Sequence, residues 1–204
     1  ATKTITSQKV LQNFLNMYLG YSLDNFVASY GNFNLDEFLV YQGKGNANYL
    51  NQAQHYLAFK HGITLKNANG SVSDLVASQN NVSMYSASTA GNYRNNIAGI
   101  GVDASSKLYQ KQNRSVYSTN GGNVVGMGFG EFTFSNHFNS FVCPSNRDLY
   151  FYSWADDGVL LNGMNDVEVS QQLKDSFCVQ RMNREWMLQR TLADTNNASS
   201  KKIA

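Results

Sequence analysis

The sequence predicts a mainly β chain: an antiparallel β-sandwich, jelly-roll-like, with an N-terminal amphipathic helix and one further helix. Three observations carry this expectation. Most apolar segments are short and either continuous or alternating, as buried and half-buried strands require. Turn chemistry such as Asn120-Gly121-Gly122 and Asn162-Gly163 separates them. Helical spacing stands out in two stretches, one near residues 8–19 and one near 47–61.

Residues 1–6 set Thr2, Thr4 and Thr6 against Lys3 and Ile5, a small strand that needs a partner to persist. From Ser7 the pattern turns helical. Val10, Leu11, Phe14, Leu15, Tyr18 and Leu19 recur at three- and four-residue spacing, with Thr6 or Ser7 placed to cap and Gly20 to terminate. The apolar face of this helix packs on the domain's own core or on a neighbouring copy, and the first is the simpler reading. Glu37-Phe38-Leu39-Val40-Tyr41 reads as a strand, followed by a polar turn over 42–46. In the second helix Leu50, Ala53 and Leu57 form a stripe flanked by Tyr49 and Tyr56, and Gly62 supplies the left-handed cap. His55 and His61 do not share a helical face, so they read as surface histidines rather than metal ligands.

Residues 67–92 are polar, with a turn signal at Asn69-Gly70. They read as a loop with a short strand or helical turn, a natural place for variable recognition. The most distinctive stretch is 95–118. Ile97-Ala98-Gly99-Ile100-Gly101-Val102 reads as a buried strand whose glycines let another backbone or a large ring pack closely. A polar turn over 103–107 follows, and residues 108–117 alternate as one half-exposed strand. Residues 124–129 form the next strand, and 131–134 continue extended. Gly126-Met127-Gly128-Phe129-Gly130 lacks the spacing of a dinucleotide fingerprint.

Further strands are predicted over 138–142 and 148–154, the second opposing Leu149, Phe151 and Ser153 to Tyr150, Tyr152 and Trp154. Residues 155–158 read as a turn and 159–164 as a hairpin. Residues 177–191 form a long extended segment in which Met182, Arg184, Trp186 and Leu188 share a face. The resulting organisation is an N-terminal strand and helix over 1–35, a sandwich domain over 36–191 and a polar C-terminal tail over 192–204.

Only 15% of the 204 residues are charged, while Asn, Ser, Gly and Tyr abound, which points to an extracellular surface protein. The net charge of +2 is thinly spread and Lys201-Lys202 is the only adjacent basic pair, so nucleic acid is not an expected partner. No apolar run is long enough for a membrane span. A start at Ala1 fits a mature secreted protein or a trimmed chain. Cys143 and Cys178 read equally as one disulfide or as two buried thiols. Asp156, Asp157, Asn162 and Asp166 carry oxygen ligands for calcium but lack the register of a dedicated loop, and solvated turn carboxylates are the favoured reading.

Three pieces, in order, resemble a known family: residues 37–41 with Gln54-His55-Tyr56-Leu57-Ala58-Phe59-Lys60-His61-Gly62-Ile63-Thr64-Leu65, then residues 96–116, then Arg181-Met182-Asn183-Arg184-Glu185-Trp186. The chain resembles an uncharacterised domain of large secreted bacterial surface proteins, which follows a concanavalin A-like (laminin G-like) domain in adhesin-type architectures. The family pattern reads approximately YLAxKYGITL, NxIxGIGRDDxSGLxQKQSxSV and RxxRxWxVQ, and the resemblance covers about residues 36–190. Ala104 stands where the pattern has a second acid and Lys107 where it has glycine, which speaks against an ion site there. The resemblance implies location and fold, a free-standing relative with residues 1–35 in place of the preceding domain, and no catalytic, cofactor-binding or metal-binding residues.

No nucleophile elbow, zinc-binding helix or paired Cys-x-x-Cys is present, and an enzyme is not expected. Glycosidase chemistry needs only two facing carboxylates, for which Glu37, Glu131, Glu168 and Glu185 exist. A lectin-like module is the alternative function, with Tyr150, Tyr152 and Trp154 stacking on sugar rings or, as the simpler reading, filling the core. The favoured expectation is a self-assembling extracellular subunit, a homo-oligomer that forms a filament or layer by exchanging a terminal segment. Residues 1–6 are the expected donor, and the polar tail would be ordered by a neighbouring copy or, more simply, by its own chain.

Overall fold

The structure, a computed structural model, describes residues 21–24, 27–30, 37, 39, 46–79, 81–115, 125–143, 147–160, 164–165, 170, 172, 181–192 and 195–203. The chain divides into two compact units, Ala1–Lys44 and Gly45–Ala204. In the first, β1 (Tyr21–Asp24) and β2 (Val27–Tyr30) pair antiparallel, with Tyr21 opposite Tyr30. The strand expected over 1–6, the helix expected over 8–19 and most of the strand expected over 37–41 lie outside the described residues.

The second unit is mainly β, paired antiparallel throughout, with one α-helix among the described residues. That helix, α1 (Ala47–His61), fills the range predicted by its apolar spacing. The Asn46 side chain accepts the Asn48 N–H at its start. Gly62 ends it in the left-handed region at φ 61°, so that Ile63 N–H reaches back to the Ala58 carbonyl. A Cβ at Gly62 would lie 2.2 Å from the Arg114 carbonyl oxygen, so the cap is also a point of close packing.

The remaining strands are β3 (Leu75–Val76), β4 (Ser83–Tyr85), β5 (Asn95–Asp103), β6 (Leu108–Gln110), β7 (Gln112–Arg114), β8 (Gly126–Gly128), β9 (Phe151–Asp156), β10 (Met164–Asn165), β11 (Arg181–Met182), β12 (Trp186–Leu192) and β13 (Thr195–Ile203). Five form one sheet in the order β13-β12-β9-β5-β6, while β3-β4, β7-β8 and β10-β11 are two-stranded. Strand β9 is central: Trp154 pairs with Ala98 on one side and Leu188 on the other.

Both faces of the large sheet are covered. On one, Ile97, Phe151, Ala155 and Met187 join Ala58 and Phe59 of α1 and Leu75, Met84 and Tyr85 of β3 and β4. On the other, Ala98, Ile100 and Trp154 pack with Val125, Met127, Phe129, Tyr152, Trp186 and Leu188. Burial on both sides explains why residues 97–102 of β5 are an unbroken run without polar residues rather than an alternation. Its glycines serve as expected. A Cβ at Gly99 would fall 2.4 Å from the edge of the Phe59 ring, and one at Gly101 as close to the Tyr150 carbonyl oxygen.

Several sequence expectations need correction. Residues 67–92 hold the short strands β3 and β4, in line with a loop carrying a short strand, but they are packed on the core, with Leu75, Ala77, Met84, Tyr85, Ala87 and Ala90 buried. The amide of Gln189 holds this segment by exchanging hydrogen bonds with the Ser86 backbone at both ends. The strand expected over 108–117 breaks at Lys111, where Asn136 Oδ1 accepts the N–H groups of Lys111 and Gln112. Those donors leave the ladder, and β6 and β7 enter different sheets. No strand forms over 131–134 or 138–142; β8 stops at Gly128 because the chain turns, with Glu131 N–H bonded to the Phe129 carbonyl. The strand expected over 148–154 starts at Phe151, after Leu149 adopts φ 57°, and runs on through Ala155 and Asp156, where the sequence predicts a turn. The polar tail is strand β13, paired with β12 of the same chain.

Candidate functional site

The segment 129–143 is a loop with apolar anchors near its two ends, Phe129 against the sheet and Phe141 stacked on Phe129. Side-chain amides hold it in place. Gln112 Oε1 accepts the Thr133 N–H and hydroxyl, and its Nε2 donates to the Thr133 carbonyl at 2.7 Å. Asn139 Nδ2 donates to the carbonyls of Phe129 and Glu131, and Lys111 Nζ donates to the Asn139 carbonyl. Asn136, besides accepting from Lys111 and Gln112, donates to the Tyr109 carbonyl. Hydrogen bonds from the Ser140 N–H and hydroxyl hold the Glu131 carboxyl below its usual range. Each buried amide uses donor and acceptor together, which fixes the loop backbone between its apolar ends.

So braced, the loop presents large apolar side chains to solvent. Phe134 is 97% exposed, Val142 83%, Phe138 65% and Phe132 53%. Four exposed large apolar residues in one short segment are more than a surface needs by chance, and such exposure is found at interaction surfaces.

A groove runs along each side of the loop. The first consists of two adjoining cavities of about 220 and 310 Å³, sharing Gly101, Val102, Phe129, Phe141 and Cys143. Its walls are aromatic: Phe129 stacks on Phe141 at 4.9 Å and meets Tyr152 edge-on at 6.1 Å. Arg147 lies over the Tyr150 ring at 5.0 Å. Burial pushes the Cys143 thiol up, against the opposing pull of Arg147, so it stays protonated at neutral pH. The second groove, about 440 Å³, lies between the end of α1, strand β7 and the loop. Lys60 and Arg114 bring positive charge to it, His61 an imidazole, Phe132 and Phe134 rings, and Gln110, Gln112, Asn113 and Asn136 amides.

The residues singled out from sequence separate cleanly. Trp154 is core, 1% exposed, its Nε1 donating to the Val125 carbonyl, while Tyr150 and Tyr152 line the aromatic groove. Asp156 is not a solvated turn carboxylate: it is 1% exposed, 3.5 Å from Arg184 Nη1, and accepts from Asn96 Nδ2 at 2.7 Å. Asp157 accepts the Val159 N–H, and Asn162 and Asp166 lie outside the described residues. Cys143 is a free thiol; Cys178 is outside the described residues. His55 is half-buried, not a surface residue: its Nδ1 accepts the Val76 N–H and burial lowers its pKa despite Asp74 nearby. Glu185 accepts the Tyr93 hydroxyl and Glu131 is bound by Ser140; Glu37 belongs to the other unit and Glu168 is not among the described residues. Among the described residues no His, Cys, Asp or Glu cluster suits a metal ion. Nor is any helix among them long and apolar enough to cross a membrane.

The grooves are not legible in the sequence, which predicts extended chain over 131–134 and a strand over 138–142 where the structure forms a braced loop. Phe132 and Phe134 line the second groove and Val142 the first.

The sequence profile of a domain of unknown function, DUF8202, matches residues 49–203. The chain belongs to this family. The matched region runs from α1 to β13 and includes the braced loop and both grooves, so these are features of the family domain and not of the N-terminal unit. No curated protein and no solved structure matches the chain.

Proposed function

We propose that this is a non-catalytic, adhesin-type surface module of a secreted bacterial protein, a relative of the domain that follows concanavalin A-like domains, and that it binds carbohydrate at the loop 129–143. The observation that carries the reading is the pairing of a hydrogen-bonded, pre-set loop with phenyl rings left in solvent. A pyranose ring has an apolar C–H face that packs on an aromatic face, and a fixed platform loses little entropy on binding. The low charge content and abundance of Asn, Ser, Gly and Tyr support an extracellular setting. Coverage of both faces of the five-stranded sheet supports an antiparallel β-sandwich, jelly-roll-like in plan. A glycan array probed with the full chain tests the function. Retention of a defined set of glycans, lost in Phe134→Ala, is the expected outcome; an array on which the native chain and the variant give the same signals overturns it.

A second reading, self-assembly into a filament or layer, is favoured by one observation. The five-stranded sheet ends on β13, nine residues long, whose outer edge has no partner strand among the described residues. Light scattering of the full chain at high concentration decides: growth beyond a monomer supports this reading, and a monomer at all concentrations removes it.

A further inference from the structure

The aromatic groove holds a cation without an acidic partner among the described residues. Arg147 is exposed on its wall, the guanidinium carbon 5.0 Å from the centroid of the Tyr150 ring. Among the described residues no carboxylate pairs with it, and no Asp or Glu lines either cavity of the groove. The acids nearby are engaged elsewhere: Asp148 Oδ1 accepts the N–H groups of Ala104 and Leu149, and Glu131 accepts from Ser140. Lys111, the groove's other cation, is committed, because its Nζ donates to the Asn139 carbonyl and its charge acts on Glu131. Arg147 is thus the charge that a ligand can use.

The polar groups around it are occupied by the fold. Val102 N–H donates to the Tyr150 carbonyl, and the Val102 carbonyl accepts the Leu149 N–H. Gln110 Nε2 donates to the Gln112 carbonyl at 2.7 Å, while the N–H and carbonyl of Lys111 bond Asn136 and Phe129. Groups so engaged do not serve the hydroxyls of a sugar. Phe129, Phe141 and Tyr152, in contrast, offer ring faces and edges already set against one another.

From this we infer that the aromatic groove takes an aryl carboxylate, its ring among Phe129, Phe141 and Tyr152 and its carboxylate on the guanidinium of Arg147. These side chains all line the cavity of about 220 Å³, so one small ligand reaches rings and cation together, and the adjoining cavity of about 310 Å³ leaves room for substituents. A guanidinium presents paired N–H donors that match a carboxylate, and beside apolar walls the pairing is screened less than in open water. Fixed aromatic walls favour another ring, offset or edge-on, over an alkyl chain, and a rigid aryl body loses less freedom on binding than a fatty acid. The inference goes beyond the carbohydrate reading and does not rest on it, since the exposed rings of Phe132 and Phe134 line the other groove.

The test is calorimetric titration of the full chain with cinnamate and naphthoate, each beside its primary amide, and with octanoate. It is paired with the rate at which iodoacetamide alkylates Cys143, read on the peptide by mass spectrometry. Cys143 is half-buried and lines both cavities, so a bound ligand shields it. At least one aryl acid should bind about ten-fold more tightly than its amide, through the charge-assisted pair, and should slow the alkylation. Arg147→Gln should bring that acid down to the level of the amide and leave the amide unchanged. The Arg147 side chain is exposed, so a melting temperature close to that of the native chain is expected and separates lost binding from lost fold. Equal binding of acid and amide, unchanged by Arg147→Gln, overturns the anion selection and with it the inference. Octanoate binding more tightly than either aryl acid overturns the aryl body, and binding that leaves the Cys143 rate unchanged overturns the site. If neither acid binds, the inference falls, while the glycan array still decides the carbohydrate reading by itself.

Discussion

Asp103 shows how one buried carboxylate sets a local structure. It accepts the Ser78 N–H at 2.8 Å, the Ser78 hydroxyl at 2.7 Å and the N–H groups of Ser105 and Ser106, tying β5 to the segment after β3 and closing its own turn. Burial pushes its pKa up, but the bonds from Ser78 and Ser106 outweigh this and hold it below the usual value of 3.8. Asp103→Ala strands these donors and should cost about 1–3 kcal/mol, read as a lower urea midpoint. The pH dependence has a definite sign. A depressed carboxyl contributes stability that is present above its unfolded pKa and lost as pH falls through the folded value. His55, lowered by burial, acts in the same direction: below its unfolded value near 6.5 the unfolded chain takes up a proton that the native site resists. Stability should therefore decline in two stages on acidification, one below about pH 6.5 and one in the carboxylate range. Urea titrations across pH 5–8 check the first stage, which should vanish in His55→Gln; a slope that persists in the variant would show that another group is responsible.

At the scale of elements, the left-handed positions give the sharpest expectations. Lys107 closes the turn between β5 and β6 at φ 57°, a region costly for a residue with a Cβ, and it stands where the resembling pattern has glycine. Lys107→Gly should raise stability by up to about 1 kcal/mol, the relief of strain being partly offset by the freer unfolded chain. Gly62 and Gly70 form a matched pair for thermal melts. Both have positive φ, but a Cβ at Gly70 meets nothing within 4 Å, whereas one at Gly62 meets the backbone of Arg114 and Ser115. Gly62→Ala should be the more destabilising by about 1 kcal/mol or more, since it adds a clash to the strain. Equal losses would mean that the α1–β7 approach is looser than its geometry implies.

For the molecule as a whole, β13 is part of the fold. Its register against β12 runs from Trp186 opposite Ile203 to Leu192 opposite Thr195, with a shift between Arg190 and Leu192. Truncation after Leu192 removes that partner and exposes an apolar strand edge. It should lower the melting temperature by several degrees and promote aggregation, as followed by calorimetry and size-exclusion chromatography. A truncated chain that melts like the native one would show that β13 adds nothing to the unit. Arg184 and Asp156 join distant parts of the unit in the same way. Both are buried, Arg184 Nε donates to the Val159 carbonyl at 2.8 Å, and removal of either charge would leave the other uncompensated.

The local features were legible in the sequence. The end of α1 follows from its apolar stripe with Gly62 after it, the buried β5 from the apolar run 97–102, and a turn over 103–107 from polar residues between two strands. Such signals are carried by neighbours within a few residues and act on backbone torsions, so they survive without knowledge of the fold. What only the tertiary structure decided was the fate of polar side chains. Asn136 breaks the strand at Lys111, Gln112 and Asn139 hold the loop 129–143, Gln189 anchors Ser86, and Asn113 bridges Phe59 and Gly99. Each pairing spans more of the chain than any local pattern can register. An amide reads as surface or turn in sequence, and becomes a structural element only when distant backbone groups need its donors and acceptors.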